Sequence, residues 1–370
     1  MNFNKKFWAT AFTLSGTIIG AGILGLPYVF SQSGFFIGIF WLIALGLILL
    51  LVNLYMGEIT LRTKTIHQLP GYAEKYLGKK AKVLMFSAMA FGIYSALLAY
   101  MIGEGQSFSK LFFGDLSYSL HFAVAFWFVM TLLLRNGLKE LKRIEFWGVF
   151  AIIGIILIIF LRFFPGINPG NIYYTDFSNF FLPFGVVIFA LLGFTSIPEL
   201  RQEIKGQEKL LKKAIIVGAL IPIVLYLLFS FVFVGTFGKN VEQVATISFG
   251  SLVIVLGIFT MMTSYFVLSF ALKDIFIYDI GKNKSAFFFV SLFPLLLYLV
   301  VTLFNFADFV KVLGIGGVIS GGLMGILILL TNIKAKAKGK RKPEFSIPIN
   351  WLIVFILSLI FISGIWFELF

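Results

Sequence analysis

Two hydrophobic stretches carry residues that interrupt a helix and so free backbone groups for binding. The first is Gly16-Thr17-Ile18-Ile19-Gly20-Ala21-Gly22-Ile23-Leu24-Gly25-Leu26-Pro27, with four glycines and a proline in twelve residues. This composition disfavours a continuous helix. Close packing of two helices at Gly16 and Gly20 is one explanation. The other is a discontinuous helix whose backbone binds a zwitterion and a cation, because unpaired N–H and C=O groups persist in a bilayer only where something satisfies them.

The second stretch is Phe189-Ala190-Leu191-Leu192-Gly193-Phe194-Thr195-Ser196-Ile197-Pro198. At 1.5 Å per residue, Gly20 lies about 20 Å along its helix from Phe7, and Gly193 about 18 Å from Phe181. The two helices run in opposite directions, so the interruptions match in depth across an inverted repeat. Paired interruptions of this kind indicate the binding site of a transporter.

Side-chain oxygens in the hydrophobic runs form a second group of candidates. Thr263 and Ser264 lie about 17 Å into their run, where they either bind a cation together or each donate to a carbonyl one turn back. Glu104 and Glu199 are ionisable residues within such runs, which suggests a functional role. Glu104 is either a gate or proton acceptor, or a group at the outer water boundary. Glu199 is either a cytoplasmic gate or a solvated helix end.

The composition identifies the environment of these residues. Of 370 residues, 60% are apolar and 12% are charged, whereas soluble domains have about 45–50% and about 25%. With about 20 residues per span, there is room for about eleven membrane helices and no sizeable catalytic domain. The absence of cysteine excludes disulfides and thiolate chemistry, and two histidines make a zinc site improbable. Since no catalytic cluster lies at membrane depth, we expect neither an enzyme nor a cofactor.

Eleven hydrophobic runs predict an all-α polytopic membrane protein. The runs are Phe7 to Phe30, Phe35 to Met56, Val83 to Phe108, Leu120 to Leu134, Phe146 to Phe164, Phe181 to Leu200, Ala214 to Phe237, Leu252 to Ile277, Ala286 to Phe304, Phe309 to Leu330 and Ile349 to Phe370. We read the first as a spanning helix and not as a removable signal peptide.

The distribution of charge predicts the orientation of the chain. Alternate crossing of the bilayer puts 26 of the 30 basic residues on one side, which is cytoplasmic by the positive-inside rule. The N-terminus is then cytoplasmic and the C-terminus external. The net charge of +14 therefore reflects membrane topology, and we expect no nucleic-acid partner. The chain reads as one domain, with repeat one at about 7–164, repeat two at about 181–330 and an extra helix at about 349–370.

Several motifs resemble the hydroxy and aromatic amino acid permeases of the amino acid/polyamine/organocation superfamily, which has the leucine-transporter-like fold. They are the first-helix stretch from Gly16 to Pro27, Leu98-Ala99-Tyr100-Met101-Ile102-Gly103, Gly193 to Pro198, Thr263-Ser264-Tyr265 with Lys273-Asp274, Phe293-Pro294, and Leu313-Gly314-Ile315-Gly316-Gly317. Two departures bear on the substrate range. The sixth-helix histidine of the family is absent, and Glu104 stands where a third-helix glycine is usual.

The resemblance implies a secondary active transporter of a neutral, aromatic or hydroxy amino acid in the plasma membrane, driven by symport of Na⁺ or H⁺. A transport-inactive sensor of the same fold is the alternative. Ala21 and Gly22 N–H groups would bind the substrate carboxylate, and carbonyls of Ile18, Ile188 and Phe189 its amine, with Phe194 against the side chain. The full set of implied substrate-binding residues is Thr17, Ile18, Gly20, Ala21, Gly22, Tyr100, Ile188, Phe189, Gly193 and Phe194.

The resemblance also implies a site for sodium as the coupling ion. A sodium ion there would bind to five oxygens, and oxygen ligands suit a hard cation. They are the carbonyls of Gly16, Ile19 and Thr260 and the hydroxyls of Thr263 and Ser264. No lysine lies in the fifth run, where some superfamily members carry one in place of sodium.

Overall fold

The computed structural model describes residues 3–20, 22–136, 153–274, 276 and 287–369. Most of these residues are helical, and the sole β contact among them is a bridge between Gly34 and Thr175. The helices are α1 Phe3–Ile18, α2 Gly22–Ser33, α3 Phe35–Arg62, α4 Leu69–Leu77, α5 Lys79–Phe113, α6 Ser119–Asn136, α7 Ile153–Gly166, α8 Pro169–Tyr173, α9 Leu182–Ala190, α10 Ile197–Glu203, α11 Leu211–Phe237, α12 Ser251–Asp274, α13 Phe288–Leu303, α14 Phe309–Lys338 and α15 Trp351–Leu369.

Six described helices are long and apolar enough to cross a membrane, namely α3, α5, α11, α12, α14 and α15. The pair α1 and α2, bent by 58°, makes a seventh candidate. The shorter apolar helices α6, α7 and α13, together with the interrupted pair α9 and α10, would raise the number to eleven. The polytopic all-α class is therefore confirmed, whereas the count of eleven and the orientation stay predictions.

Both predicted interruptions are present. Helix α1 ends at Ile18 and α2 begins at Gly22, while α9 ends at Ala190 and α10 begins at Ile197. The first span is longer than predicted, because α1 begins at Phe3 and α2 continues to Ser33. The segment between α3 and α5 contains the short helix α4.

The turn between α2 and α3 depends on a glycine. Gly34 has φ of 110°, a conformation that L side chains rarely adopt, and the backbone of Tyr174 and Thr175 lies against it. The Asp176 N–H donates to the Ser33 carbonyl at 2.8 Å. The turn on the predicted external side is thus fixed to the loop that follows α8.

Helix α14 is tightly packed, as its glycines predict. Its π-helical turn, Gly317–Gly321, lies against α9, and a Cβ on Gly321 would be 2.7 Å from Ile188 Cγ2. Helix α15 is peripheral, since its buried residues are Val354, Leu357, Phe361 and Gly364 and most of its other large apolar side chains are exposed. This placement suits a helix outside the repeat.

Candidate functional site

The two helix interruptions lie directly against each other. A Cβ on Gly22 would overlap the Cα and Cβ atoms of Ala190. A Cβ on Gly193 would lie 2.8 Å from Ile18 Cγ1, closer than real Cβ contacts. Glycine at these positions therefore lets the broken backbones meet, which no larger residue permits without separating the helices.

Tyr226 of α11 connects the two interruptions. Its side chain is fully buried, and its hydroxyl lies 2.8 Å from the Ile18 carbonyl oxygen and 2.9 Å from the Ala190 carbonyl oxygen. Because a hydroxyl has one proton, it donates to one of these carbonyls at a time. The hydroxyl therefore holds the ends of α1 and α9 together and leaves carbonyl capacity for a further donor.

Tyr100 of α5, a predicted substrate-binding residue, lies beside the first interruption. Its side chain is buried, and its hydroxyl would lie 3.3 Å from a Cβ on Gly20. It is also close enough to Tyr226 to interact with it electrostatically. Two tyrosine hydroxyls thus lie beside the backbone of the interruptions, which places hydrogen-bond donors and acceptors together at this point.

Three predicted substrate-binding residues have other local contacts. The Thr17 side chain is exposed, and its hydroxyl donates to the Thr13 carbonyl at 3.0 Å. The Ile188 and Phe189 side chains pack against the glycines of α14. The Ile188 carbonyl accepts from the Leu191 N–H at 3.2 Å, and the Phe189 carbonyl accepts from the Leu192 N–H at 3.4 Å. Each carbonyl oxygen therefore keeps one lone pair for another donor. Phe194 is fully buried between α9 and α10, and Ala21 lies outside the described residues.

Of the two hydroxyls predicted to bind sodium, that of Thr263 forms hydrogen bonds to carbonyls of its own helix. Thr263 Oγ1 lies 3.0 Å from the Phe259 carbonyl and 2.9 Å from the Thr260 carbonyl, so it donates within α12. The Thr260 hydroxyl donates to Leu256 at 2.9 Å. Gly16 and Ile19 lie at the end of α1, whereas α12, which carries Ser264, packs against α5 and α6. The five-oxygen site stays a prediction.

Glu104 lies one helical turn beyond Tyr100 on α5, on the same face of the helix. Its side chain is 0% exposed, and its carboxyl makes no hydrogen bond or ion pair with a side chain in the part of the chain that is described. The backbone of Met262 is close enough to interact with the carboxyl. This burial contradicts the interpretation of Glu104 as a group in the outer water, and an unpaired carboxylate here would be unfavourable.

Glu199 corresponds to the second of its two interpretations. It is exposed and forms no ion pair with any residue in the described ranges, as expected of a solvated helix end. The contact between α10 and α3 is made by Arg201, which is 6% exposed and donates to the Thr60 carbonyl and, at 2.8 Å, to the Thr63 carbonyl.

Further bonds join α10 and its following turn to α1. The Thr13 hydroxyl donates to Glu203 Oε1 at 3.2 Å, and Lys6 Nζ donates to the Lys205 carbonyl at 3.0 Å. The Lys6 contact lies at the predicted cytoplasmic end of α1, whereas Thr13 lies in the second half of α1, five residues before its end at Ile18. On the opposite side, Gln243 Nε2 donates to Asp308 Oδ2 at 2.9 Å and joins the loop before α12 to the start of α14. Both ends of the molecule are thus held by polar contacts.

Sequence reasoning missed Tyr226 and Arg201. Tyr226 is the sole polar side chain in the run Ile223 to Phe229, and a lone hydroxyl in a membrane helix is a signal that was available. Arg201 gave no such signal, because it follows the helix interruption among other charged residues and its burial depends on α3.

The fold and the site define a polytopic membrane protein in which two interrupted helices meet at a buried polar site. A comparison with protein families assigns it more narrowly: the model of the tryptophan/tyrosine permease family matches residues 3–248. The chain belongs to this family, which confirms the resemblance seen in its motifs and supports a transporter over an enzyme.

Curated relatives are transport proteins. The chain is 27% identical over 230 residues to tyrosine-specific transport system 1 of Haemophilus influenzae, a match that covers 61% of this chain and 56% of the relative. It is 24% identical over 249 residues to glutamine transporter 2 of Aliivibrio fischeri, covering 65% of this chain and 63% of that protein. Amino acid transporter AVT1H of Arabidopsis thaliana is 24% identical over 256 residues, with 66% and 59% covered. The matched region is less than two thirds of the length of each of these relatives.

Proposed function

We propose that the protein is a secondary active transporter that imports a neutral amino acid across the plasma membrane. The observation that carries this proposal is the Tyr226 hydroxyl, which lies between the Ile18 and Ala190 carbonyls where two interrupted helices meet. Backbone groups at such a point suit a zwitterion, and a transporter site forms at the interface of two repeats. The named substrates of two relatives, tyrosine and glutamine, both have uncharged side chains and support the substrate class.

In the proposed binding mode, the substrate carboxylate lies at the N-terminus of α2, where the Gly22 N–H and the positive end of the helix dipole point toward it. The ammonium group donates to carbonyls at the ends of α1 and α9, which Tyr226 holds in place. The Tyr100 hydroxyl lies beside Gly20 and completes the polar boundary. An aromatic or hydroxyl-bearing side chain would extend past Phe194.

Alternating access in this proposal is a rocking motion of two groups of helices. We propose that α1, α2, α3 and α9 to α11 rock against α5, α6, α12 and α13, as an inverted repeat of five helices each would allow, with α15 outside it. The hydrogen bond between Thr13 and Glu203 joins α1 to α10 within the first group, so we expect it to be kept throughout this motion.

We propose H⁺ as the coupling ion, with Glu104 as the group that carries it. The carboxyl is buried one turn from Tyr100 and has no cationic partner among the described residues, so its charged form is unfavourable and its protonated form is favoured. A proton taken up from outside would be released after the site opens inward. Sodium at Gly16, Ile19, Thr260, Thr263 and Ser264 is the alternative, and the bonds of Thr263 within its own helix weigh against it.

Proteoliposomes presented with single amino acids, with and without Na⁺ and pH gradients, test the function. We expect accumulation of a neutral amino acid when a pH gradient, acid on the external side, is imposed without Na⁺. Accumulation that needs Na⁺ and is abolished in the Thr263→Ala, Ser264→Ala double variant would instead support the sodium site. Amino acids that bind but never accumulate would contradict transport and support the sensor.

A further inference from the structure

A cavity of about 540 Å³ lies beside the C-terminal end of α3. It is lined by Arg62, Gly339, Lys340, Arg341, Lys342, Pro343 and Ser346. None of these residues belongs to the proposed transport site. The cavity is on the face that the charge distribution predicts to be cytoplasmic, where α14 ends and the chain returns toward α15.

A buried carboxylate fixes the walls of this cavity. Glu58 is 0% exposed, and its Oε1 accepts from Arg62 Nε, Lys336 Nζ and Ser346 Oγ, each at 2.8 Å. Its Oε2 accepts from the Ile347 N–H at 3.0 Å. These bonds join α3, α14 and the segment 339–350. The cavity is therefore a built feature and not a gap between mobile side chains.

The segment 339–350 runs along α3 toward the membrane. A Cβ on Gly57 would lie 3.1 Å from the Phe345 ring, and the Tyr55 hydroxyl donates to the Pro348 carbonyl at 2.8 Å. From Arg62 to Tyr55 the axis of α3 rises about 10 Å. The mouth of the cavity consequently lies near the end of a spanning helix, at the depth of the lipid headgroups.

The cavity has an excess of positive charge. Five cations surround it, namely Arg62, Lys336, Lys340, Arg341 and Lys342. The acidic residues near them are Glu58 and Glu344, which form ion pairs with them, and Glu208, which acts electrostatically on Arg341. Five positive charges against three negative ones leave an excess of two. Lys340 and Lys342 are exposed and form no ion pair with residues in the described ranges, so their ammonium groups can bind an anion.

An apolar surface continues from the charged cavity. Helix α15 begins five residues after Ser346, and its first turns expose Trp351, Leu352 and Phe355, with 64%, 64% and 63% of each side chain accessible. A phosphate in the cavity would leave room for acyl chains along this helix. The adjoining charged and apolar surfaces match an amphiphile better than a free anion or an acidic protein segment.

We propose that this cavity binds the headgroup phosphate of an anionic phospholipid. Ammonium groups bind phosphate strongly, and each basic residue near an anionic membrane surface contributes about 1 kcal/mol, or about fivefold in affinity. The lipid would hold the segment 339–350 against α3 and so fix α15 to the rest of the molecule. This proposal is independent of the substrate and of the transport mechanism.

The test uses the full-length protein in a non-ionic detergent and fluorescently labelled phosphatidylglycerol, with labelled phosphatidylcholine as the reference lipid. We expect phosphatidylglycerol to bind at least tenfold more tightly. The Lys340→Gln, Lys342→Gln double variant should weaken its binding by about fivefold to twentyfold. The matched control, Lys212→Gln with Lys213→Gln, removes two exposed lysines from the same predicted face outside the cavity and should change the affinity less than twofold.

Three outcomes would overturn the proposal. The first is equal affinity for the two lipids, and the second is an equal loss in the control variant. The third is displacement of the labelled lipid by inorganic phosphate or hexaglutamate at the concentration at which unlabelled phosphatidylglycerol displaces it. That third result would assign the cavity to a free anion or an acidic protein partner. Since both variants replace exposed side chains, an unchanged elution volume in gel filtration shows that each is folded.

Discussion

At the scale of single residues, Tyr226 is the group on which the proposed site depends most. Tyr226→Phe removes the hydroxyl between the Ile18 and Ala190 carbonyls and leaves one of these buried groups without a donor, at a cost of about 1–3 kcal/mol. We expect the KM for uptake to rise about tenfold, because the carbonyls proposed to bind the ammonium group lose their fixed positions.

The matched control for this substitution is Tyr55→Phe. Tyr55 is also fully buried and also donates to a backbone carbonyl, that of Pro348, but it lies at the far end of α3. Both variants should lower the thermal unfolding temperature, whereas the change in KM should be confined to Tyr226→Phe. Equal KM values for the two variants would show that Tyr226 has a structural role alone.

Glu104 is the second residue whose chemistry the structure singles out. Glu104→Gln keeps the shape of the buried side chain and removes its ability to take up a proton. Accumulation driven by a pH gradient should fall at least tenfold, while exchange of labelled for unlabelled substrate stays within about threefold, because exchange needs no net proton movement. Glu199→Gln, on an exposed side chain, should leave both rates unchanged. Normal accumulation by the Glu104→Gln variant would show that another group carries the proton. If the parent protein does not exchange labelled for unlabelled substrate, the proposed transport function is wrong.

At the scale of helices, the two interruptions were predictable and their partners were not. Gly20 and Gly193 are local signals, since glycines close to a proline weaken a helix wherever it lies. The positions of Tyr226 and Arg201 depend on helices distant in sequence: Tyr226 meets Ile18, 208 residues away, and Arg201 meets Thr60, 141 residues away. Hydroxyl groups also form hydrogen bonds within their own helix, as those of Thr17 and Thr263 do. The depth of a polar residue along its helix therefore does not reveal which other residues its side chain contacts.

The two glycines of the first interruption should differ in how they tolerate a methyl group. Gly20→Ala places a Cβ 3.3 Å from the Tyr100 hydroxyl, which a small side-chain shift relieves, so the protein should fold with reduced uptake. Gly22→Ala overlaps the backbone of Ala190 and forces α2 away from α9, which should remove uptake and lower stability by about 1–3 kcal/mol.

Gly154→Ala is the control for both glycine substitutions, because no atom of the described residues lies within 4 Å of a Cβ at that position. Measuring uptake and the thermal unfolding temperature of all three variants separates an effect on transport from an effect on stability. Normal uptake by Gly22→Ala would contradict close contact of the interruptions during transport.

At the scale of the whole molecule, the two predicted membrane faces are chemically different, and this difference accounts for both proposals. In the predicted topology most basic residues lie on one face, and around Glu58 they line the cavity that we propose for an anionic headgroup. The opposite predicted face has short polar contacts such as that between Gln243 and Asp308. The proposed transport site lies between the two faces. It consists of backbone and hydroxyl groups, which do not change this asymmetry of charge.

The absence of cysteine from the sequence allows the orientation to be tested directly with single cysteines. We expect a membrane-impermeant maleimide to label Ser117→Cys and Leu369→Cys on intact cells, because eleven crossings from a cytoplasmic N-terminus place both outside. Thr65→Cys, between α3 and α4, should react only after the membrane is permeabilised. All three positions are exposed, so differences in labelling report the side of the membrane. If Leu369→Cys reacts only after permeabilisation, the number of crossings is even and α15 does not end outside.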